Sequence, residues 1–134
     1  MPSLFRSYWL TLAWAVVMLA LAGIPGDYIP RTISFRDWLG PDKFVHLAMF
    51  GILAFLLLAG PAQQYLARFN RFLVGVIILV IGTIFGFVLE ALQHFVFIGR
   101  NGNIYDLAAD ILGLLVGIAA FYIFFDRKGR ADTK

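Results

Sequence analysis

Four apolar runs, each long enough to cross a lipid bilayer, limit the fold of this chain more than any other feature. They lie at 8–24, 44–60, 72–95 and 107–125. A helix needs about 20 residues to cross about 30 Å of hydrocarbon. Four strands could not close a barrel, so every run must be helical. The sequence therefore predicts an all-α integral membrane bundle of four transmembrane helices, forming a single domain over 1–134.

Composition supports this prediction and excludes several other classes of protein. Of the 134 residues, 61% are hydrophobic and 14% are charged, whereas a soluble domain averages about 45–50% apolar and 25% charged residues. The absence of cysteine excludes disulfides and thiolate chemistry. The net charge of +3 comes from basic residues at the ends of the runs, so the predicted partner is the lipid bilayer and not a nucleic acid.

The first run has a second interpretation. Arg6 followed by an apolar run that ends in small residues is also typical of a signal peptide. However, the run at 8–24 is longer than the usual hydrophobic region of about 7–15 residues. We therefore favour an uncleaved first span over a signal peptide.

The basic residues predict the orientation of the bundle. Seven of the 11 lysines and arginines flank the side that holds both termini and the loop between the second and third runs. Because cytoplasmic loops carry the excess of Lys and Arg, both termini are predicted to be cytoplasmic. The outer loop before the second run contains Trp38 in a short segment, 35–39, that we expect to lie at the headgroup level. The basic tail at 126–134 is expected to be disordered.

Within the third run, Glu90 follows an uncharged apolar stretch of 18 residues, 72–89. An acid at the bilayer centre costs about 2.5–3.5 kcal/mol on insertion scales, so intramembrane ionisable residues are candidates for function. The predicted topology places other polar residues at the same outer ends of the runs: Asp42, Lys43, His46, Gln93, Arg100, Asp106 and Asp110. His94 is less informative, because it falls past Glu90 near the interface.

Two glycine stripes continue into these polar ends. The third run contains Gly82 and Gly86, and the fourth contains Gly113 and Gly117. This G-x-x-x-G spacing is typical of close helix packing in lipid. We expect the two stripes to pack against each other and to bring the polar ends together. The alternative is that glycine is simply frequent in membrane helices.

The polar positions also resemble a known family. In order along the chain, the pattern is Asp42-Lys43-x-x-His46, Glu90-x-x-Gln93, Arg100, and Asp106-x-x-x-Asp110-x-x-Gly113-x-x-x-Gly117. This pattern is similar to the VanZ-like family of bacterial membrane proteins, although Asp110 stands where that family usually has asparagine. The resemblance implies a small multi-pass protein of the bacterial cytoplasmic membrane in a cell-envelope context. The founding member of the family is associated with resistance to the antibiotic teicoplanin.

Three functions follow as hypotheses. In the first, the outward-facing polar cluster binds a lipid or a lipid-linked envelope component. Lys43, Arg100 and two helix N-termini would hold a lipid phosphate or a lipid-linked saccharide. In the second, His46 and Glu90 are the acid–base pair of an enzyme acting on such a lipid. In the third, the cluster only fixes the bundle of a structural or accessory subunit. The oligomeric state stays open.

A metal site is conceivable from residues with suitable ligand atoms: His46, Glu90, His94, Asp106 and Asp110. Catalytic zinc sites use three protein ligands and an open position. The chain has no H-E-x-x-H spacing, which is the sequence pattern of many zinc enzymes. The sequence alone therefore predicts neither a metal nor a cofactor.

Overall fold

The computed structural model describes residues 4–24, 40–60, 70–97 and 103–131. These residues form four helices, which are α1 (Leu4–Ala22), α2 (Pro41–Ala59), α3 (Arg71–Phe95) and α4 (Ile104–Ala131). Within the described ranges there is no β-strand. The prediction of an all-α membrane bundle with four helices is confirmed.

Three of the helices are long and apolar enough to cross a membrane. The candidate spans are Asp42–Ala59, Arg71–Phe95 and Ile104–Phe124. Large apolar side chains are exposed on their outer surfaces, among them Phe72, Phe87 and Phe124, as expected of faces that contact lipid. The apolar part of α1, Ser7–Ala22, is shorter than a full span. Its crossing of the bilayer, like the orientation of the termini, stays a prediction.

The helix ends follow local sequence chemistry. α2 begins at Pro41 with Asp42 in its first turn, where proline and an acid are both favoured. The side-chain oxygen of Asn70 accepts a hydrogen bond of 2.9 Å from the backbone N–H of Phe72 and so caps α3. α4 continues to Ala131, so the expectation of disorder is wrong for 126–131, and 132–134 lie outside the described residues.

α2 lies at the centre of the bundle and contacts each of the other helices, with its most extensive contact against α4. The buried apolar core draws on all four helices, with its largest share, Phe50, Leu53, Ala54 and Leu58, from α2. The indole N–H of Trp14 in α1 donates a hydrogen bond of 3.0 Å to the backbone oxygen of Met49 in α2. This bond joins α1 to α2.

The glycines of α4 pack against α2 and not against α3. A Cβ added at Gly113 would collide with the backbone of Leu47, and one added at Gly117 would collide with the backbone of Gly51. The two helix backbones therefore approach as closely as glycine permits. The expectation that the two glycine stripes face each other is wrong. On α3, Gly82 faces the Leu114 side chain.

These contacts also fix the direction of the helices. Leu47 lies against Gly113, and Gly51 lies against Gly117, so residue numbers rise together along the contact. α2 and α4 therefore run parallel, and α3 between them in sequence runs the opposite way. As a result, the N-terminal ends of α2 and α4 lie at the same end of the bundle as the C-terminal end of α3.

Gly117→Ala should lower the free energy of unfolding by about 1–3 kcal/mol, the usual cost of overpacking, because its new methyl group meets the Gly51 backbone, which cannot rotate away. Thermal unfolding in detergent measures this effect. The matched control is Gly75→Ala, whose Cβ would lie 3.5 Å from the nearest side-chain atom, on Ile118, and which should leave stability unchanged or slightly higher. Equal losses in both variants would contradict the packing described here.

Candidate functional site

Polar side chains meet between α2, α3 and α4 at the end of the bundle that these helices share. We call this group the polar cluster. Most of its members are buried, and Asp110 is completely so at 0% exposure. The described members predicted from sequence are Asp42, Lys43, His46, Glu90, Gln93, Asp106 and Asp110.

Lys43 joins α2 to α4 through an ion pair. Its Nζ atom lies 2.9 Å from Oδ1 of Asp106 and 3.2 Å from Oδ2 of Asp42. The side chains of Lys43 and Asp106 are each 10% exposed, whereas that of Asp42 is 55% exposed. Lys43 is therefore held by two carboxylates, and its charge is already balanced by Asp106 inside the bundle.

One turn deeper, His46 contacts two carboxylates from two other helices. Its Nδ1 atom lies 2.9 Å from Oδ1 of Asp110 and 4.0 Å from Oε1 of Glu90. The first distance is a hydrogen bond between the imidazole and the Asp110 carboxyl group, in which the tautomer with a proton on Nδ1 is the donor. His46, Glu90 and Asp110 thus form a compact group, which we call the triad.

Glu90 is positioned by a residue that the sequence reasoning missed. The backbone N–H of Asn103 donates a hydrogen bond of 2.7 Å to Oε2 of Glu90. Asn103 also caps α4, since its side-chain oxygen accepts from the Tyr105 N–H at 3.0 Å. Its backbone oxygen accepts from the Asp106 N–H at 2.9 Å. An asparagine directly before an apolar run, with an acid three residues later, is a recognised helix-start signal. That signal would have placed the helix start before 107.

Two oxygens of the triad are buried without a hydrogen-bond partner in the described part of the chain. They are Oε1 of Glu90 and Oδ2 of Asp110. Buried acceptors are normally paired with a donor or with ordered water. A Cβ added at Gly86 would lie only 2.9 Å from Oδ2 of Asp110. The missing side chain at Gly86 therefore lets the Asp110 carboxylate approach the backbone of α3 closely.

The described residues of the polar cluster carry an excess of acidic groups. Four carboxyl groups, those of Asp42, Glu90, Asp106 and Asp110, share one lysine. Coulomb interactions are strong where protein and lipid exclude water. Such a cluster attracts cations and hydrogen-bond donors, and it repels a bare phosphate group.

The other predicted residues are placed as follows. Gln93 is buried on the same face of α3 as Glu90. His94 is exposed, and its ring packs edge-on against Phe95 with 4.6 Å between ring centroids. Arg100 lies outside the described residues, as does Trp38 of the predicted headgroup-level segment.

The fold and the site define an α-helical membrane protein that holds a histidine–carboxylate group between three helices. The sequence model of the VanZ/LLP1 family matches residues 4–125. The chain therefore belongs to the VanZ/LLP1 family, as the order of its polar motifs predicted. Neither curated proteins nor solved structures gave a match to this chain.

Lys43→Gln should lower the free energy of unfolding by about 3–5 kcal/mol, because it leaves the Asp106 carboxylate buried without a counter-charge. The matched control is Asp42→Asn, which breaks the other, more exposed contact of the same lysine and should cost no more than about 1 kcal/mol. Denaturant titration in detergent compares the two variants. Similar stabilities for Lys43→Gln and wild type would contradict a buried ion pair.

Proposed function

We propose that this protein is a multi-pass protein of the bacterial cytoplasmic membrane whose polar cluster binds the headgroup of a lipid or a lipid-linked envelope component. The three long apolar helices and the family support a membrane location. The excess of lysine and arginine on the side of the termini supports an outward-facing cluster. At the end of a bundle, such a cluster lies within reach of a headgroup.

The observation that carries this proposal is the pair of unpartnered carboxylate oxygens. A polar network that served only to lock helices together would satisfy its own buried acceptors. Oε1 of Glu90 and Oδ2 of Asp110 have no donor among the described residues. Their burial is costly unless a bound molecule supplies the missing partners. This favours a binding site over a purely structural cluster.

The chemistry of the cluster favours one of the two headgroups predicted from sequence. Lys43 is held between Asp42 and Asp106, so its charge is not free for a phosphate. The unpartnered groups of the triad are acceptors, and they call for donors. Saccharide hydroxyls are such donors, so we favour a lipid-linked saccharide over a lipid phosphate as the ligand. The resemblance to the VanZ-like family extends the proposal to a role in glycopeptide resistance.

A second candidate function, acid–base catalysis on such a lipid, is favoured by the contact of 2.9 Å between His46 and Asp110. A histidine whose Nδ1 is held by a carboxylate is oriented to exchange a proton through its other ring nitrogen. Glu90 at 4.0 Å is the second titratable group that this chemistry would use.

Glu90→Gln should lose the retained envelope component, because it keeps the size and the oxygen that accepts from Asn103 but replaces the unpartnered acceptor Oε1 with an NH2 donor. The measurement is mass spectrometry of lipids that copurify with the protein in mild detergent. Asp42→Asn is the control, since it removes an exposed carboxylate of the same cluster outside the triad. The proposal fails if wild type and Glu90→Gln retain the same lipids in the same amounts.

The same approach separates binding from catalysis. His46→Gln and Glu90→Gln remove titration from the second candidate's acid–base pair. If wild type raises teicoplanin resistance and both variants fold and raise it equally, acid–base catalysis is excluded. If His46→Gln retains the lipid but no longer supports resistance, catalysis is favoured over binding alone. If neither variant folds, the cluster is structural.

A further inference from the structure

The two buried carboxylates of the triad lack a counter-charge. Hydrogen-bond donors would pair their free oxygens but would not balance that charge. Glu90 is 8% exposed and Asp110 is 0% exposed, and the lysine of the cluster is paired with Asp106 and Asp42 instead. An isolated carboxylate is very costly to bury, so buried charges are paired or coordinate metals. A cation bound between the two carboxylates and the imidazole would supply the missing counter-charge.

We propose that the triad binds one divalent first-row transition-metal ion, for which Zn²⁺ is the natural probe. One nitrogen of His46 and one carboxylate oxygen each from Glu90 and Asp110 lie within 4.8 Å of one another. A mixed set of imidazole and carboxylate ligands suits zinc and manganese, and the softer thiolate ligands that would favour other sites are absent from this chain.

The spacing of the ligand atoms fits such an ion. Ligands about 2.0–2.2 Å from a tetrahedral zinc ion are separated from each other by roughly 3.3–3.6 Å. The distances from Nδ1 of His46 are 2.9 Å to Asp110 and 4.0 Å to Glu90, one shorter and one longer than this range. The remaining pair, one oxygen of Glu90 and one of Asp110, also lies within 4.8 Å, so small side-chain shifts would close the set around an ion.

The surroundings of the triad support the same assignment. The Asn103 N–H holds Oε2 of Glu90, which leaves Oε1 as the free ligand atom. Groups that hold a ligand from behind in this way are typical of metal sites. Asp110 likewise keeps a buried oxygen, Oδ2, that has no partner among the described residues. A dication balances the charges of the two carboxylates, and the net charge of the group of ligands and ion is then zero.

Metal binding extends the proposed function. It rests on that function in one respect, because both treat the triad as a binding site. Three protein ligands leave a fourth position of a tetrahedral ion open, as in catalytic zinc sites. An oxygen atom of a headgroup is the ligand that fits this position. With the ion bound, this acidic group of residues could coordinate an oxygen atom of the headgroup.

Isothermal titration of purified, chelator-treated protein with ZnCl₂ and MnCl₂ tests the proposal. Wild type should bind one ion per chain. His46→Gln should bind it at least about 100-fold more weakly, because even the loss of an outer partner of a ligand costs about 10–100-fold. The matched control is His94→Gln, which removes the other histidine of the chain and should bind as wild type does. The proposal is overturned if folded wild type binds neither ion, or if the two histidine variants bind equally.

A measurement on wild type alone covers the case in which His46→Gln does not fold. X-ray absorption by the zinc-loaded protein should show a first shell of nitrogen and oxygen that contains a single imidazole. A shell without imidazole, or with two, would overturn the assignment. Lipid retention is then measured before and after chelation. Metal binding without lipid retention would reject the proposed function but not the metal site. Lipid retention without metal binding would reject only the metal site.

Discussion

The close approach of α2 and α4 is the contact on which the rest of this structure depends. Gly113 and Gly117 let the backbone of α4 lie directly against the backbone of α2. Because the two helices run parallel, the same register carries Lys43 to Asp106 and His46 to Asp110. In lipid, where apolar burial gives no drive for helices to associate, packing of small residues and polar contacts between helices must supply it. Both kinds of contact lie along the interface between α2 and α4.

Burial of charge then divides the polar cluster into two parts with different roles. Lys43 and Asp106 neutralise each other, and together with Asp42 they form a network of ion pairs. The hydrogen bonding of the triad is incomplete, because each of its two carboxylates keeps one buried oxygen without a partner in the described ranges. A buried polar network that is only partly satisfied is destabilising on its own. This difference is the reason for proposing a binding role for the triad and a stabilising role for the lysine.

Much of this arrangement could be predicted from the sequence, because length and composition alone identify helices that cross a membrane. Glu90 and His46 stood out since charged or ionisable groups are rare in such runs. The partner of the α4 glycines could not be predicted, because a small-residue stripe shows that a helix packs closely but not which neighbour it meets. Which of the candidate metal ligands meet could not be predicted either, since His46, Glu90 and Asp110 come from three helices and form no local motif. Asn103 was missed although its capping pattern was present in the sequence.

The central claim is that His46 and Asp110, far apart in sequence, interact directly inside the bundle. A double-mutant cycle with His46→Gln and Asp110→Asn, read as free energies of unfolding in detergent with chelator present, measures this interaction. The contact of 2.9 Å predicts a coupling energy of about 1 kcal/mol or more. Single-variant effects that add to within about 0.5 kcal/mol would show that the two side chains do not meet and would contradict the site.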